Sequence, residues 1–145
     1  MSKYSLDRFL KIRPRSEKEI RDKLKFKKFE ESEIDKIIKD LKSREIINDR
    51  IFAQWWVYQR TEYKPRGKRF IEFELKRFGV DLETIQSVLP DEDIESKMAH
   101  DLAEYKIKSF SGLPKFDKKR KLFAYLSGKG FSFDIVRETV DDIIE

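Results

Sequence analysis

Leu24, Leu75 and Leu126 stand 51 residues apart, and their neighbours keep the same phase. Four positions earlier lie Ile20, Ile71 and Leu122, and five positions later Phe29, Val80 and Phe131. Ten later come Ile34, Ile85 and Val136, and fourteen later Ile38, Leu89 and Val140. Five apolar columns in one register constrain the fold more than any other feature. Units that repeat at such an interval cannot bury their apolar faces alone and stack on one another. Within each copy the spacing is helical, i to i+4 on one face, until the five-residue step from Leu75 to Val80 breaks the phase.

A turn belongs at that break. Lys28, Gly79 and Gly130 follow the column leucines by four residues, where a helix end enters the left-handed conformation that glycine adopts without steric cost. Gly79 and Gly130 are thus structural turns. Lys28 is expected either to take that conformation at a cost of about 1 kcal/mol or to connect its helices differently. Asp81 and Ser132 are good N-caps for the helix that follows, and Glu30 is a poor one. In the first copy Ser16 and Glu19 form a capping-box pattern, and Pro14 and Pro65 sit in the connections leading in.

Each copy has room for a preceding helix, which gives three helices per repeat. In the second it runs from about Asn48 to Tyr63, with Phe52, Ala53, Trp55, Trp56 and Val57 spanning half the wheel. These aromatics read as core, the alternative being a platform on which bases stack. In the third, Ile94, Met98, Leu102 and Tyr105 form the expected buried stripe. The expected fold is all-α: three tandem three-helix repeats, residues 1–47, 48–89 and 90–145, stacked into an elongated, curved helical body. Charged residues are 42% of the chain against 39% hydrophobic, which suits thin helical layers better than a deep globular core.

The net charge of +5 is unevenly placed. Residues 1–47 carry 15 basic and 10 acidic side chains, residues 48–89 carry 8 and 6, and residues 90–145 carry 10 and 12. In every repeat the cations gather at the turn into the middle helix and along that helix. Arg13, Arg15 and Lys18 lie there first, then Arg60, Lys64, Arg66, Lys68 and Arg69, then Lys118, Lys119 and Arg120. Stacking would align them into a basic stripe for an anionic partner, either phosphate or an acidic protein surface. The plainer alternative is solvated helix faces paired with Glu17, Glu19, Glu72 and Glu74.

Residue supply excludes much chemistry. The chain has no cysteine and one histidine, His100, which reads as an ordinary, partly exposed helix residue. GxxxxGK[ST], GxGxxG and GxSxG are all missing. The acidic runs Glu30 to Asp35 and Asp91 to Glu95 read as helix starts, since they lack the loop and glycine of a calcium site. Ser127-Gly128-Lys129-Gly130 could cradle a phosphate, but its phase makes it a helix-ending turn. No catalytic residue, metal or cofactor is expected. The start MSKYSLDRFL lacks a signal peptide's apolar stretch, and no segment reaches a membrane span, so a cytoplasmic, non-enzymatic binding protein is expected.

Four stretches are distinctive together. Arg66-Gly67-Lys68-Arg69-Phe70-Ile71-Glu72-Phe73-Glu74-Leu75-Lys76-Arg77-Phe78-Gly79-Val80 resembles the RecX signature of an Arg-Gly start, an isoleucine, a Glu-Leu pair and a Gly-Val turn. Arg15-Ser16-Glu17 with the helix to Leu24 resembles the first-repeat helix of that family. Ile47-Asn48-Asp49-Arg50-Ile51-Phe52-Ala53 is similar to its Leu-Asp-Asp-x-x-Phe-Ala helix start, and Leu126-Ser127-Gly128-Lys129-Gly130-Phe131 to its closing Leu-x-x-(Lys/Arg)-Gly-Phe motif. The resemblance implies a regulator, expected as a monomer, that binds the RecA recombinase filament on single- or double-stranded DNA. It would suppress ATPase, strand-exchange and coprotease activity and so restrain recombination and the SOS response. Arg60 and the Arg66-Gly67 turn match family positions and head the expected binding face. Asn48 and Lys28 depart from the family pattern. The competing reading is a stand-alone nucleic-acid-binding helical repeat.

Overall fold

A computed structural model describes residues 6–145. Residues 1–5, which open the first expected repeat and the stretch read for a signal peptide, lie outside the described residues. Nine α-helices follow in order among the described residues: α1 (Asp7–Ile12), α2 (Glu17–Phe26), α3 (Glu31–Ser43), α4 (Asp49–Glu62), α5 (Lys68–Arg77), α6 (Leu82–Val88), α7 (Glu92–Ile107), α8 (Lys115–Gly128) and α9 (Phe133–Ile143). A short 3-10 turn, Lys108–Phe110, leads out of α7.

The apolar columns became the core. Ile20, Ile71 and Leu122 are fully buried, as are Leu24, Leu75 and Leu126, and Ile34, Ile85 and Val136. Of the fifteen column residues only Phe29 and Leu89 stay partly accessible. Around the first columns pack Leu6, Ile37, Leu41 and Ile47, and around the last Met98, Ala99, Ala103 and Ile144. Ser16 caps α2 as expected: its hydroxyl accepts from the Glu19 N–H at 3.2 Å, and the Glu19 carboxylate accepts from the Ser16 N–H at 3.0 Å. Asp81 accepts from the Thr84 N–H at 2.8 Å. At the poor cap, the main-chain N–H of Glu30 is satisfied instead by Glu33, at 2.9 Å. Asn48, where the RecX pattern has aspartate, still does a cap's work, accepting from the N–H groups of Arg50 and Ile51 at 2.9 and 3.2 Å.

On α7 the buried stripe differs from the one expected. Ile94 and Tyr105 are exposed, and the face turned inward is Glu95, Met98, Ala99 and Ala103. The two alanines let α8 and α9 approach closely, and large residues at those positions would hold them off. His100, on the same helix, ties α7 to α9. The ring Nδ1 lies 2.8 Å from the Ser96 carbonyl and Nε2 lies 2.9 Å from the Asp142 carboxylate. Both of these are acceptors, which favours the doubly protonated ring, while the Thr139 hydroxyl lies 3.4 Å from Nδ1. Burial opposes that charge, but the bonds to Asp142 and Ser96 outweigh it and raise the pKa above the usual histidine value. A raised folded-state pKa stabilises the fold fully below the unfolded value of about 6.5, and the contribution is lost as pH rises through the folded value. The gap in melting temperature between the wild type and His100→Gln is therefore expected to shrink between about pH 5.5 and pH 8.5. A gap that widens with pH contradicts the assignment.

The chain packs as two compact units. One holds the described part of Met1–Trp56 with Leu75–Val88, and the other Val57–Glu74 with Leu89–Glu145. Both α4 and α5 contribute to the two units, so the division falls inside the middle repeat rather than at its ends. Each unit is held by a joint of one design. In the first unit the Glu17 N–H, at the start of α2, donates to the Asp49 carboxylate of α4 at 2.8 Å. In the second the Lys68 N–H, 51 residues further on, donates to the buried carboxylate of Glu95 at 2.8 Å. Burial raises the pKa of both carboxyl groups, while the main-chain donor each one caps pulls in the opposite direction.

The glycine turns complete these joints. A Cβ on Gly79 would stand 2.8 Å from the Lys18 Cβ, and one on Gly130 would stand 2.4 Å from the Phe70 Cβ. Gly67 is equally tight, with 2.3 Å from its would-be Cβ to the Gly130 carbonyl oxygen, and its N–H donates to the Lys129 carbonyl at 2.9 Å. Lys28 takes the left-handed conformation, with φ 71°, and its side chain is exposed. Close approach, added to the backbone angle, is what demands glycine in the later two copies.

Candidate functional site

Within the first unit the expected binding cations are largely committed to packing. The Arg13 guanidinium grips the Glu19 carboxylate at 2.6 and 3.1 Å and stands 5.6 to 5.9 Å from the rings of Phe52, Trp55, Trp56 and Phe78. Trp55 and Trp56 are half-buried, and Trp56 packs edge-on against Phe78 at 4.7 Å. Both rings join this cluster by tilted and edge-on contacts and stay partly accessible, so they are less enclosed than the expected core. Arg15 lies 3.8 Å from the ring centre of Phe9, donates to the Phe9 carbonyl at 3.1 Å and comes within 3.5 Å of Glu19. Burial, followed by the charge of Arg13, lowers its pKa from the usual guanidinium value. Lys18 is exposed and pairs with Asp22 at 2.8 Å.

The second unit presents its cations differently. Arg60 is consumed inside: its Nε donates to Glu74 at 2.8 Å, with the carboxylate held by a second bond. Arg66, in the loop between α4 and α5, spends one donor on the Pro65 carbonyl at 2.9 Å and stacks 5.3 Å from the ring of Phe70. Lys64 and Arg69 flank it, both exposed, and Lys68 is half-buried. On α8, Lys119 is 3.9 Å from Asp141 and Arg120 is 3.5 Å from Asp117, distances that leave both as weak, wet pairs. Lys118 is half-buried on the same helix. Beside Lys119 and Arg120 an apolar groove of about 300 Å³ opens between α8 and α9, floored by Phe116, Phe123 and Val140 with Arg137 on its rim.

Two cations outside the sequence expectation join Arg66. Lys106 ends α7 and Lys129 ends α8, and their ammonium groups lie 5.0 and 5.4 Å from the ring centre of Tyr125. Burial lowers the Lys129 pKa first, and then the positive charges of Arg66 and Lys106 lower it further. The one hint in the sequence was the Ser127–Gly130 turn. No spacing links Lys106 to Lys129, which come together only at the Tyr125 ring. Among the described residues no group of three or more His, Asp or Glu could hold a metal ion, and no helix is long and apolar enough to cross a membrane.

The architecture defines the chain as an all-α protein of tandem three-helix repeats. Family models described as the first, second and third three-helix domains of RecX match residues 8–41, 48–89 and 93–140. Regulatory protein RecX of Chlorobium phaeobacteroides (strain BS1) is 38% identical over 94% of this chain and 89% of its own length. That of Clostridium beijerinckii is 30% identical over 90% of this chain, which spans 62% of that longer protein. The crystal structure of RecX from Lactobacillus salivarius superposes with a TM-score of 0.85 at 26% identity, covering 94% of this chain and 90% of that one. The chain belongs to the RecX family of regulatory proteins.

Proposed function

We propose that this chain binds the RecA recombinase filament on DNA and inhibits its ATPase, strand-exchange and coprotease activities, acting in the cytoplasm as a non-enzymatic monomer. Family membership across all three repeats carries the reading. The exposed or half-buried cations Lys64, Arg66, Lys68 and Arg69, with Lys118, Lys119 and Arg120 on α8, form the binding face in the second unit. In the first unit Lys18 is the exposed cation of the set, whereas Arg13, Arg15 and Arg60 act through packing that fixes the turns. The protein inhibits by binding one filament state more tightly than another, since a ligand shifts an equilibrium only by its differential affinity.

A stand-alone nucleic-acid binder is the second reading, favoured by the surplus cations near Arg66. Fluorescence anisotropy separates the two. Binding to labelled single-stranded DNA coated with RecA is expected at protein concentrations at least about tenfold below those that bind the bare strand at the same salt. Equal affinity for coated and bare strands, with the affinity falling steeply in salt, would favour the second reading.

A further inference from the structure

Three cations converge at the second joint. Lys106 and Lys129 are held around one ring, that of Tyr125, and the Gly67 N–H bond to the Lys129 carbonyl fastens Lys129 to the residue following Arg66. Arg66 is itself held against Phe70, the residue on which Gly130 closes. Among the described residues none of the three makes an ion pair with a carboxylate, unlike Arg13, Lys18, Arg21 and Arg60. The charges of Arg66 and Lys106 both bear on Lys129. The main chains approach closely here, Gly67 against Gly130 and Gly130 against Phe70, which brings the three side chains to one joint. Aromatic faces attract each cation to its place, and the negative ends of α7 and α8 offset part of the repulsion. A surplus of positive charge remains, with unspent N–H donors on three side chains from two repeats.

A tetrahedral oxyanion matches that demand. It carries more than one negative charge on several acceptor oxygens, and guanidinium and ammonium donors bind it by charge-assisted hydrogen bonds. A carboxylate has one charge and two oxygens in a plane, and meets less of it. We propose that Arg66, Lys106 and Lys129 form a seat for a phosphate group across the joint of the second and third repeats, so that binding phosphate clamps the joint. The seat does not rest on the recombinase reading, and its test contains no recombinase.

Thermal unfolding of the full chain is followed in chloride, with added pyrophosphate, and with a short single-stranded oligonucleotide, at matched ionic strength. At ten times the half-saturating concentration the wild-type midpoint is expected to rise by about 3–6 °C. In Lys106→Gln with Lys129→Gln the midpoint in chloride is expected to be no lower than the wild type's, and the response to both anions should vanish. Lys129→Arg, which keeps the charge, should retain it. A larger rise per phosphate with the oligonucleotide assigns the seat to a nucleic-acid backbone, and a larger rise with pyrophosphate assigns it to a free phosphate compound. Either response surviving undiminished in the folded double variant overturns the proposal, as does a wild type that responds to neither anion.

Discussion

Gly130→Ala is expected to destabilise the protein by about 3 kcal/mol or more, since left-handed backbone strain of about 1–2 kcal/mol adds to overpacking of about 1–3 kcal/mol. The φ of 92° is awkward for alanine, and the new methyl group would meet the Phe70 side chain at 2.4 Å and the Phe70 main-chain nitrogen at 2.8 Å. Backbone cannot step aside as the end of a lysine can. Urea unfolding of the purified variant measures the loss. The control is Lys28→Gly, at the same phase of the first repeat, expected within about 1 kcal/mol of the wild type because only the strain of the left-handed angle and the freedom of the unfolded chain change there. Comparable effects at the two positions would mean that backbone angle alone selects glycine and that the joint is looser than described.

The second large effect concerns binding. Lys64→Glu, Arg66→Glu and Arg69→Glu together are expected to weaken binding to the recombinase filament by more than about 100-fold, from roughly 1–2 kcal/mol per reversed charge. The fold should survive. Lys64 and Arg69 are exposed, and the one polar partner given by Arg66 is the neighbouring Pro65 carbonyl. Lys68 is left in place because its N–H and charge both support the buried carboxylate of Glu95. Helical circular dichroism and a melting midpoint near the wild type's establish folding before the filament is added. A folded triple variant that binds as well as the wild type removes the α4–α5 loop from the binding face.

The architecture was legible because its signal is one-dimensional. Columns such as Ile20, Ile71 and Leu122 recur at a fixed interval, and the helical phase between them breaks where a turn must stand. Caps were legible where the side chain acts within three residues of itself, as at Ser16 and Asp81. Contacts made across a joint were not. Asp49 and Glu95 cap helices 32 and 27 residues away, and nothing local distinguishes them from the solvated carboxylates around them. The stripe expected on α7 held at Met98 and Leu102 but not at Ile94 and Tyr105, for a related reason: Ala99 and Ala103 carry little hydrophobic weight, yet they decide which face its neighbours can reach. The candidate site was legible only as a list of cations. Arg13 and Arg60 share the phase of Lys64 and Arg69 but meet Glu19 and Glu74 in the fold, and so become struts. Lys106 and Lys129 enter because two helix ends meet at one tyrosine.

Filament regulation is tested by the ATPase of the cognate RecA on single-stranded DNA, titrated with this protein while its binding to the same bare DNA is recorded. Inhibition is expected at concentrations well below those that coat the bare strand, and is expected to be lost in the folded triple variant. An unchanged ATPase at concentrations where this protein already saturates the DNA would contradict it.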